Sequence, residues 1–256
     1  MANTNKKLLT VAILAIAFFF FMVYLVSDRH GDALLLETPK IINPTAPAEI
    51  AICIVYDASG SMGDQVVGKR GSQPKYVIAN RALIAVIDIL QKYVDSGSKE
   101  VDHSVYAGLV TFEGVSCSVM PFNGAKIKQM LTQFTQPAGG TPLGEAIYKA
   151  GRELLNINAR HKHILVLTDG KNTRGADPAV VIPELKKEAQ SNGSIVDVHI
   201  IGFDVQDKIF APLQSQGVNV FSAVDEKELT MQLELLLRKK ILLEDDEITA
   251  SLTPLK

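Results

Sequence analysis

Short apolar runs of strand length alternate with segments of helical periodicity, and this alternation limits the possible fold more than any other feature of the sequence. Residues 50–56 (IAICIVY) and 163–168 (HILVLT) are almost continuously apolar, as strands are when both faces of a parallel sheet are covered. Between such runs, apolar side chains recur at three- and four-residue steps, which is typical of helices that pack one face on a sheet. The pattern predicts an α/β fold with a doubly wound, Rossmann-like, mostly parallel sheet.

The remaining elements follow from the same two periodicities. Residues 116–122 follow a predicted strand closely enough to form a hairpin with it, so they should form one antiparallel strand at an edge of the sheet. Ligands of such folds bind beyond the carboxyl ends of the strands, so function is expected just after Tyr56 and Thr168. Further strands are predicted at residues 104–112, 195–203 and 218–223, and helices at 76–93, 126–134, 143–155, 178–191, 206–214 and 229–237.

The N-terminus contains a long apolar run. Residues 8–27 are uncharged and mostly apolar, and as a helix they would extend about 30 Å, enough to cross a bilayer. No small-x-small cleavage site follows them, so we interpret the run as an uncleaved transmembrane signal anchor; the alternatives are a cleaved signal peptide and a buried core helix. Lys6 and Lys7 precede the run, and the positive-inside rule therefore places residues 1–7 in the cytoplasm.

This interpretation gives a single-pass membrane protein with its domain on the exported side, periplasmic or extracellular. Residues 28–47 contain three prolines and no sustained periodicity, which indicates an extended linker. One domain is expected at residues 48–243, followed by an acidic and polar tail at 244–256.

The charge of the chain excludes one class of partner. With 26 basic and 28 acidic residues the formal net charge is -2, so there is no basic excess to neutralise nucleic-acid phosphates. Residues 63–69 have the spacing of a phosphate-binding loop, but Arg70 stands where the Mg²⁺-holding Ser or Thr is required, and residues 71–74 intervene before the helix. We therefore expect neither nucleic acid nor nucleotide as a ligand.

The two cysteines, Cys53 and Cys117, fall on predicted strands that lie two strand spacings apart. At about 4.8 Å for each spacing, their Cα atoms exceed the roughly 7 Å that a disulfide allows. The sequence therefore predicts that these cysteines do not form a disulfide with each other.

Three loops supply oxygen ligands at the carboxyl edge of the predicted sheet. Asp57, Ser59 and Ser61 follow the first strand in the run DASGS, where alternate residues can point to one side. Thr141 lies in a glycine-rich loop that opens a helix, and Asp169 follows the strand 163–168. Carboxylate and hydroxyl oxygens suit a hard cation such as Mg²⁺ or Mn²⁺, with Ca²⁺ also possible.

The runs DASGS, GGTPLGEAI and LVLTDG, in this order, resemble the metal-ion-dependent adhesion site (MIDAS) of von Willebrand factor A (vWA) domains. The resemblance covers roughly residues 49–243, and all five motif positions are filled. It implies that the hydroxyls of Ser59, Ser61 and Thr141 touch the metal, and that Asp57 and Asp169 bind it directly or through water. The resemblance also implies an open coordination position that a partner's Asp or Glu fills. Together with the predicted membrane anchor, it suggests a bacterial protein.

The types of residue explain why such a site would bind a partner. Two carboxylates balance a divalent charge while three hydroxyls donate weakly, so the cation still attracts a further carboxylate. The sequence therefore predicts a metal-dependent protein-binding module for adhesion or assembly rather than an enzyme.

Two alternatives stay open at this point. One is a scaffold subunit of a membrane, pilus, secretion or chaperone-linked complex, in which the metal is purely structural. The other is a metal-dependent enzyme similar to haloacid-dehalogenase-type phosphatases, which place Asp-x-Asp after the first strand; here Ser59 stands at the second position and cannot act as a general acid near neutral pH.

His161 and His163 could point to one side of an extended segment, but no third metal ligand is close to them in sequence. We predict that both lie at the start of a strand with solvated rings. His199 is distant in sequence and suggests no role.

Overall fold

The computed structural model describes residues 48–68, 71–97, 104–112 and 116–242. All of them belong to the second of the two units into which the chain divides, Ile41–Lys256. Within these described residues, no helix combines the length and the apolar character needed to cross a bilayer. The predicted signal anchor, linker and C-terminal tail lie outside the described residues.

A six-stranded sheet forms the centre of the domain, in the order β5-β4-β1-β6-β7-β8. Only β4 and β5 pair antiparallel in this sheet, and its other neighbouring strands pair parallel. The mostly parallel sheet and its single antiparallel pair at one edge are therefore confirmed. The strands are β1 (Ala48–Tyr56), β4 (Val105–Thr111), β5 (Ser116–Pro121), β6 (Ala159–Thr168), β7 (Ile195–Phe203) and β8 (Asn219–Ala223).

Helices cover both faces of the sheet. Even-numbered residues of β1, such as Ile52 and Ile54, pack with α1, α2 and α6, whereas Cys53 and Val55 face α3 and α4. This two-sided burial explains why the central strands are apolar at nearly every position. The helices are α1 (Lys75–Asp95), α2 (Gly124–Gln133), α3 (Leu143–Leu155), α4 (Pro178–Ser191), α5 (Ala211–Gln214) and α6 (Glu226–Leu236), and a π-helix, Leu237–Leu242, follows α6.

The helix expected at residues 206–214 is divided in the structure. A 3₁₀ turn, Asp207–Phe210, precedes α5. Pro212 lacks the N–H that would bond the carbonyl of Lys208 in one continuous α-helix, and this explains the division. In contrast, α3, α4 and β7 have the bounds that the periodicity predicts.

A small hairpin before α1 was not predicted. β2 (Gln65–Gly68) and β3 (Gly71–Pro74) pair antiparallel and form a separate two-stranded sheet. Residues 65–68 therefore form a strand. A phosphate-binding loop would instead lead directly into the N-terminus of a helix.

The register of the strands bears on the two cysteines. Cys53 of β1 is paired with Gly108 of β4, and Leu109 of β4 is paired with Cys117 of β5. One whole strand thus separates the two cysteines in the sheet, as the sequence argument assumed. The absence of a disulfide stays a prediction.

His163 corrects the expectation of solvated histidines, because its side chain is buried in β6 with an exposed fraction of 1%. The residue lies well inside β6, which begins at Ala159, and not at the start of the strand. Its Nδ1 lies 3.2 Å from Nε2 of His199 in β7, and the two rings are stacked at 5.5 Å. Asn219 Nδ2 lies 3.2 Å from Nδ1 of His199, an arrangement that suits two neutral imidazoles.

This histidine pair should make the domain sensitive to acid. Burial and the neighbouring histidines His199 and His161 lower the pKa of His163 to about 3. Burial also lowers the pKa of His199 to about 4, and Lys240 and Lys186 act in the same direction against Asp197. In the unfolded chain these two histidines bind protons below about pH 6.5. In the folded domain they bind protons only near pH 3 to 4.

The expected result is a loss of stability as the pH falls from about 6.5 towards 4, with up to about 1.4 kcal/mol per pH unit for each group. Urea denaturation of the full chain between pH 7.5 and 4.5 would measure it. The double variant H163Q/H199Q should be less stable at pH 7.5 but should show a shallower loss in acid. An equally steep loss in this variant would mean that other groups cause the acid sensitivity.

Candidate metal centre

The first loop of the site begins where β1 ends. The N–H of Asp57 donates to the carbonyl of Leu167 in β6 at 2.9 Å, and the Asp57 side chain is fully buried. Its Oδ1 accepts the N–H of Ser59 at 2.7 Å, and its Oδ2 accepts the hydroxyl of Thr168 at 2.5 Å. Both carboxylate oxygens are therefore fixed in orientation.

The two serines of the loop connect it to the end of β6. Ser59 Oγ and Ser61 Oγ lie 3.2 Å apart. The hydroxyl of Ser61 donates to Oδ1 of Asp169 at 2.7 Å. A short 3₁₀ turn, Gly60–Gly63, carries Ser61, so the turn brings both hydroxyls towards the second carboxylate.

The glycine-rich loop before α3 lies against the first loop through its backbone. The N–H of Ala138 donates to the carbonyl of Ala58 at 2.9 Å, and the N–H of Gly60 donates to the carbonyl of Gly139 at 3.1 Å. These two hydrogen bonds fix the loop that carries Thr141 beside the serines.

Thr141 is also tied to the loop after β6. Its N–H donates to Oγ1 of Thr173 at 2.7 Å, and its carbonyl accepts the N–H of Thr173 at 2.9 Å. A Cβ atom on Gly170 would lie 3.8 Å from Oγ1 of Thr141, which places this hydroxyl next to the turn that follows Asp169. The structure thus brings all five predicted residues to one edge of the sheet.

Gly144, in the first turn of α3, allows this close approach of loops. A Cβ atom there would lie 2.1 Å from the carbonyl oxygen of Ala176, a distance that real side chains do not adopt. The N–H of Gly144 also points to Oδ1 of Asn172 at 3.4 Å. The loop between β6 and α4 therefore rests directly on the backbone of α3.

The electrostatics of Asp57 favour a cation. Burial raises the pKa of this carboxyl above its usual range, although the hydrogen bonds from Ser59 and Thr168 lower it. Both of these partners are neutral, so the negative charge is stabilised by dipoles alone. A divalent cation would offset the desolvation of Asp57 directly.

Sequence reasoning missed Lys75, the first residue of α1. Its Nζ lies 3.0 Å from Oδ2 of Asp169 and 3.1 Å from Oδ2 of Asp204. Burial lowers the pKa of Lys75, but its bonds to these two carboxylates outweigh this effect and raise the pKa above the usual value. A signal was available, because a cation is unfavourable in the first turn of a helix unless acidic groups compensate it.

The donor set fits a small hard cation. Among the described residues, His, Cys, Asp and Glu side chains form no group of three or more that could hold a metal. The candidate site instead combines the carboxylates of Asp57 and Asp169 with the hydroxyls of Ser59, Ser61 and Thr141. Such oxygen ligands suit Mg²⁺ or Mn²⁺.

A cavity of about 310 Å³ lies beside the site, next to Tyr56 and Phe134. Apolar and neutral polar side chains line it, and the rings of Tyr56 and Phe134 meet edge to face at 5.3 Å. No charged side chain among the described residues lines this cavity, so the candidate metal centre is the edge of the sheet at Asp57 and Asp169.

The chain belongs to the von Willebrand factor type A domain family, since the model of that family matches residues 51–234. It is similar to the uncharacterized protein YwmD of Bacillus subtilis, with 28% identity over 183 residues that cover 67% of this chain and 78% of that protein. Sequence similarity to a Bacillus protein agrees with the expected bacterial origin.

Solved structures share the fold. The PilB minor pilin of Streptococcus sanguinis superimposes with a TM-score of 0.57 and 17% identity, over 77% of this chain and 62% of the pilin chain. The chain thus spans less than two thirds of that pilin. Proximal thread matrix protein 1 of the mussel byssus, in a structure described as having a zinc-occupied MIDAS motif, gives a TM-score of 0.52 at 19% identity, over 75% of this chain and 48% of that protein.

Proposed function

We propose that this protein is a divalent-metal-dependent protein-binding module for adhesion or assembly, tethered to a membrane by residues 8–27. The observation that carries the proposal is the convergence of three hydroxyls and only two carboxylates at the carboxyl edge of the sheet. Asp57, Ser59, Ser61, Thr141 and Asp169 would hold the cation, which would act as a Lewis acid for an incoming carboxylate.

The charge of the site supports a carboxylate as the partner's contribution. Asp57 and Asp169 together balance a divalent cation, and the charge of Lys75 is shared between Asp169 and Asp204. Because the three hydroxyls donate weakly, the cation would still attract a further carboxylate at an open coordination position, and in a partly desolvated interface this contact is strong. An exposed Asp or Glu of a protein partner would fill this role.

The relatives favour adhesion or assembly over catalysis. The streptococcal protein with the same fold is named a minor pilin, and the mussel protein a proximal thread matrix protein with a zinc-occupied MIDAS motif. The position two residues after Asp57 holds the hydroxyl of Ser59 and not a carboxyl that could transfer a proton at neutral pH. We therefore propose a binding role without catalysis, with the domain on the exported side.

Metal-dependent capture in spheroplasts is the test of this proposal. A tagged full chain in its native cells would be treated with a membrane-impermeant crosslinker, either with Mg²⁺ or after EDTA. We expect a crosslinked partner with Mg²⁺, its loss by at least about tenfold with EDTA, and recovery when Mg²⁺ is restored. Equal capture with EDTA would favour the alternative of a scaffold with a structural metal.

Two threonine variants provide the matched control. T141A removes one proposed metal contact without a change of charge, and it should abolish capture. T132A removes a hydroxyl on the exposed side of α2 and should leave capture unchanged.

A domain that this crosslinker labels only after the membrane is permeabilised would contradict the exported location.

A further inference from the structure

Lys75 and Asp204 form an ionic connection behind the metal-ligand residues that neither the motif nor the family match describes. The Lys75 side chain is 8% exposed, that of Asp169 is fully buried, and that of Asp204 is 43% exposed. The ammonium group of Lys75 therefore lies between the ends of β6 and β7, with access to water mainly from the side of Asp204.

The local backbone shows how tightly this arrangement is held. Asp204 follows β7 with a φ of 55°. Among the described residues, no other non-glycine residue has a positive φ. Its N–H donates to the carbonyl of Ala223 at the end of β8, at 2.7 Å. A left-handed conformation of this kind costs free energy and persists where the surroundings fix it. The bond to Lys75 is one of the contacts that fix it.

The two oxygens of Asp169 have different partners as a consequence. Oδ1 accepts the hydroxyl of Ser61 at 2.7 Å, on the side of the candidate metal centre. Oδ2 accepts from Lys75 at 3.0 Å, on the opposite side. Only Oδ1 can then serve a cation beside the serines, because Oδ2 is directed towards the ammonium group.

We propose that Lys75 restricts Asp169 to one oxygen and thereby makes the site select Mg²⁺ over Ca²⁺. This inference rests on the proposed metal-binding function. Mg²⁺ requires a compact octahedron and keeps water ligands, whereas Ca²⁺ takes six to eight oxygens and gains from bidentate carboxylates. A site in which Asp169 cannot become bidentate therefore loses more affinity for Ca²⁺ than for Mg²⁺.

Lys75 also limits the affinity for any divalent cation. Its positive charge lies next to a metal ligand, and in an environment shielded from water it opposes a second cation more strongly than a surface lysine would. The removal of this charge should strengthen the binding of both metals, with the larger gain for Ca²⁺ because Oδ2 of Asp169 becomes available.

Calorimetric titration of the detergent-solubilised full chain with Mg²⁺ and with Ca²⁺ tests the inference. The wild type should bind Mg²⁺ at least as tightly as Ca²⁺. K75M should bind both metals more tightly and should raise the Ca²⁺-to-Mg²⁺ affinity ratio by about tenfold or more. K75R keeps the charge and a donor, so its ratio should stay near that of the wild type.

Two further measurements separate the effect from a general disturbance. D204N removes the negative charge of the outer contact but leaves Lys75 on Asp169, so it should not raise the ratio. If K75M does not fold, K75Q takes its place. Whichever variant is used, tighter binding of Ca²⁺ than of Mg²⁺ by the wild type overturns the inference.

The outcomes also distinguish the two proposals. A wild type that binds Mg²⁺, together with an unchanged ratio in K75M, overturns the inference on Lys75 and leaves the proposed function intact. Failure of both proteins to bind either metal overturns the proposed function as well. Binding by K75M but not by the wild type would overturn both proposals, because the native chain would then hold no metal.

Discussion

Replacement of Asp57 with alanine should reduce the affinity of the full chain for Mg²⁺ or Mn²⁺ by at least about a hundredfold. Changes in the residues that merely orient metal ligands cost about 10- to 100-fold, and Asp57 is proposed as a ligand itself. The variant also leaves Asp169 as the sole carboxylate among the five proposed ligands, so the cation would be poorly neutralised.

The fold should survive this change, and this makes the measurement informative. Without a metal, the ionised Asp57 is costly because it is buried, and its removal relieves that cost. The N–H of Ser59 loses its acceptor, at about 1–3 kcal/mol for a group left without a partner, whereas the hydroxyl of Thr168 can still donate to the carbonyl of Gly170 at 3.1 Å. These opposing effects should leave a folded, somewhat less stable domain.

Thermal unfolding with and without Mg²⁺ provides the readout. At about a hundred times the dissociation constant, a ligand of the native state adds about 2.7 kcal/mol of stability, so the wild type should unfold at a clearly higher temperature. D57A should gain no more than about 0.4 kcal/mol at the same Mg²⁺ concentration, and D95A, a change at the exposed end of α1, should shift like the wild type. A full metal-induced shift in D57A would show that the cation binds elsewhere.

Replacement of Gly144 with alanine should lower the free energy of unfolding by about 2–3 kcal/mol, a large effect for one methyl group. In an exposed helix the same change stabilises, by up to about 1 kcal/mol. Here the new Cβ would meet the carbonyl oxygen of Ala176 at 2.1 Å. Because the obstacle is backbone, the loop 169–177 would have to move away from α3.

Urea denaturation would measure this loss, and Mg²⁺ titration would measure its effect on the site. Since the same loop begins with Asp169, its displacement should also weaken metal binding. G63A is a suitable control, because a Cβ there would meet only Pro137 Cγ, at an ordinary 3.9 Å, and stability should change by less than about 0.5 kcal/mol. Equal stability of G144A and the wild type would show that the contact is easily relieved.

The fold was largely predictable because its signals are local. The apolar run at residues 50–56 marks a strand buried on both faces, and the closeness of residues 116–122 to the preceding strand predicts the antiparallel pair that the structure contains. Helix α4 begins after Asp177, whose side chain accepts the N–H of Ala179, and a cap of this kind is visible in the sequence.

Other features depend on contacts between distant residues and could not be predicted. His163 and His199 are 36 positions apart, and only the pairing of β6 with β7 brings them together in the core. Lys75 meets Asp169 across 94 positions, so its place at the start of a helix indicates that acidic groups compensate it but does not identify them. A sequence read locally shows each of these residues as an isolated polar group, without its partner.

The spread of the site along the chain also has a kinetic consequence. Asp57 and Asp169 are separated by more than a hundred positions, and the pairing of β1 with β6 is what brings them together. A cation therefore has no site to occupy while the chain is still unfolded. Because the cation binds only where both carboxylates have met, bound metal should slow the unfolding of the domain.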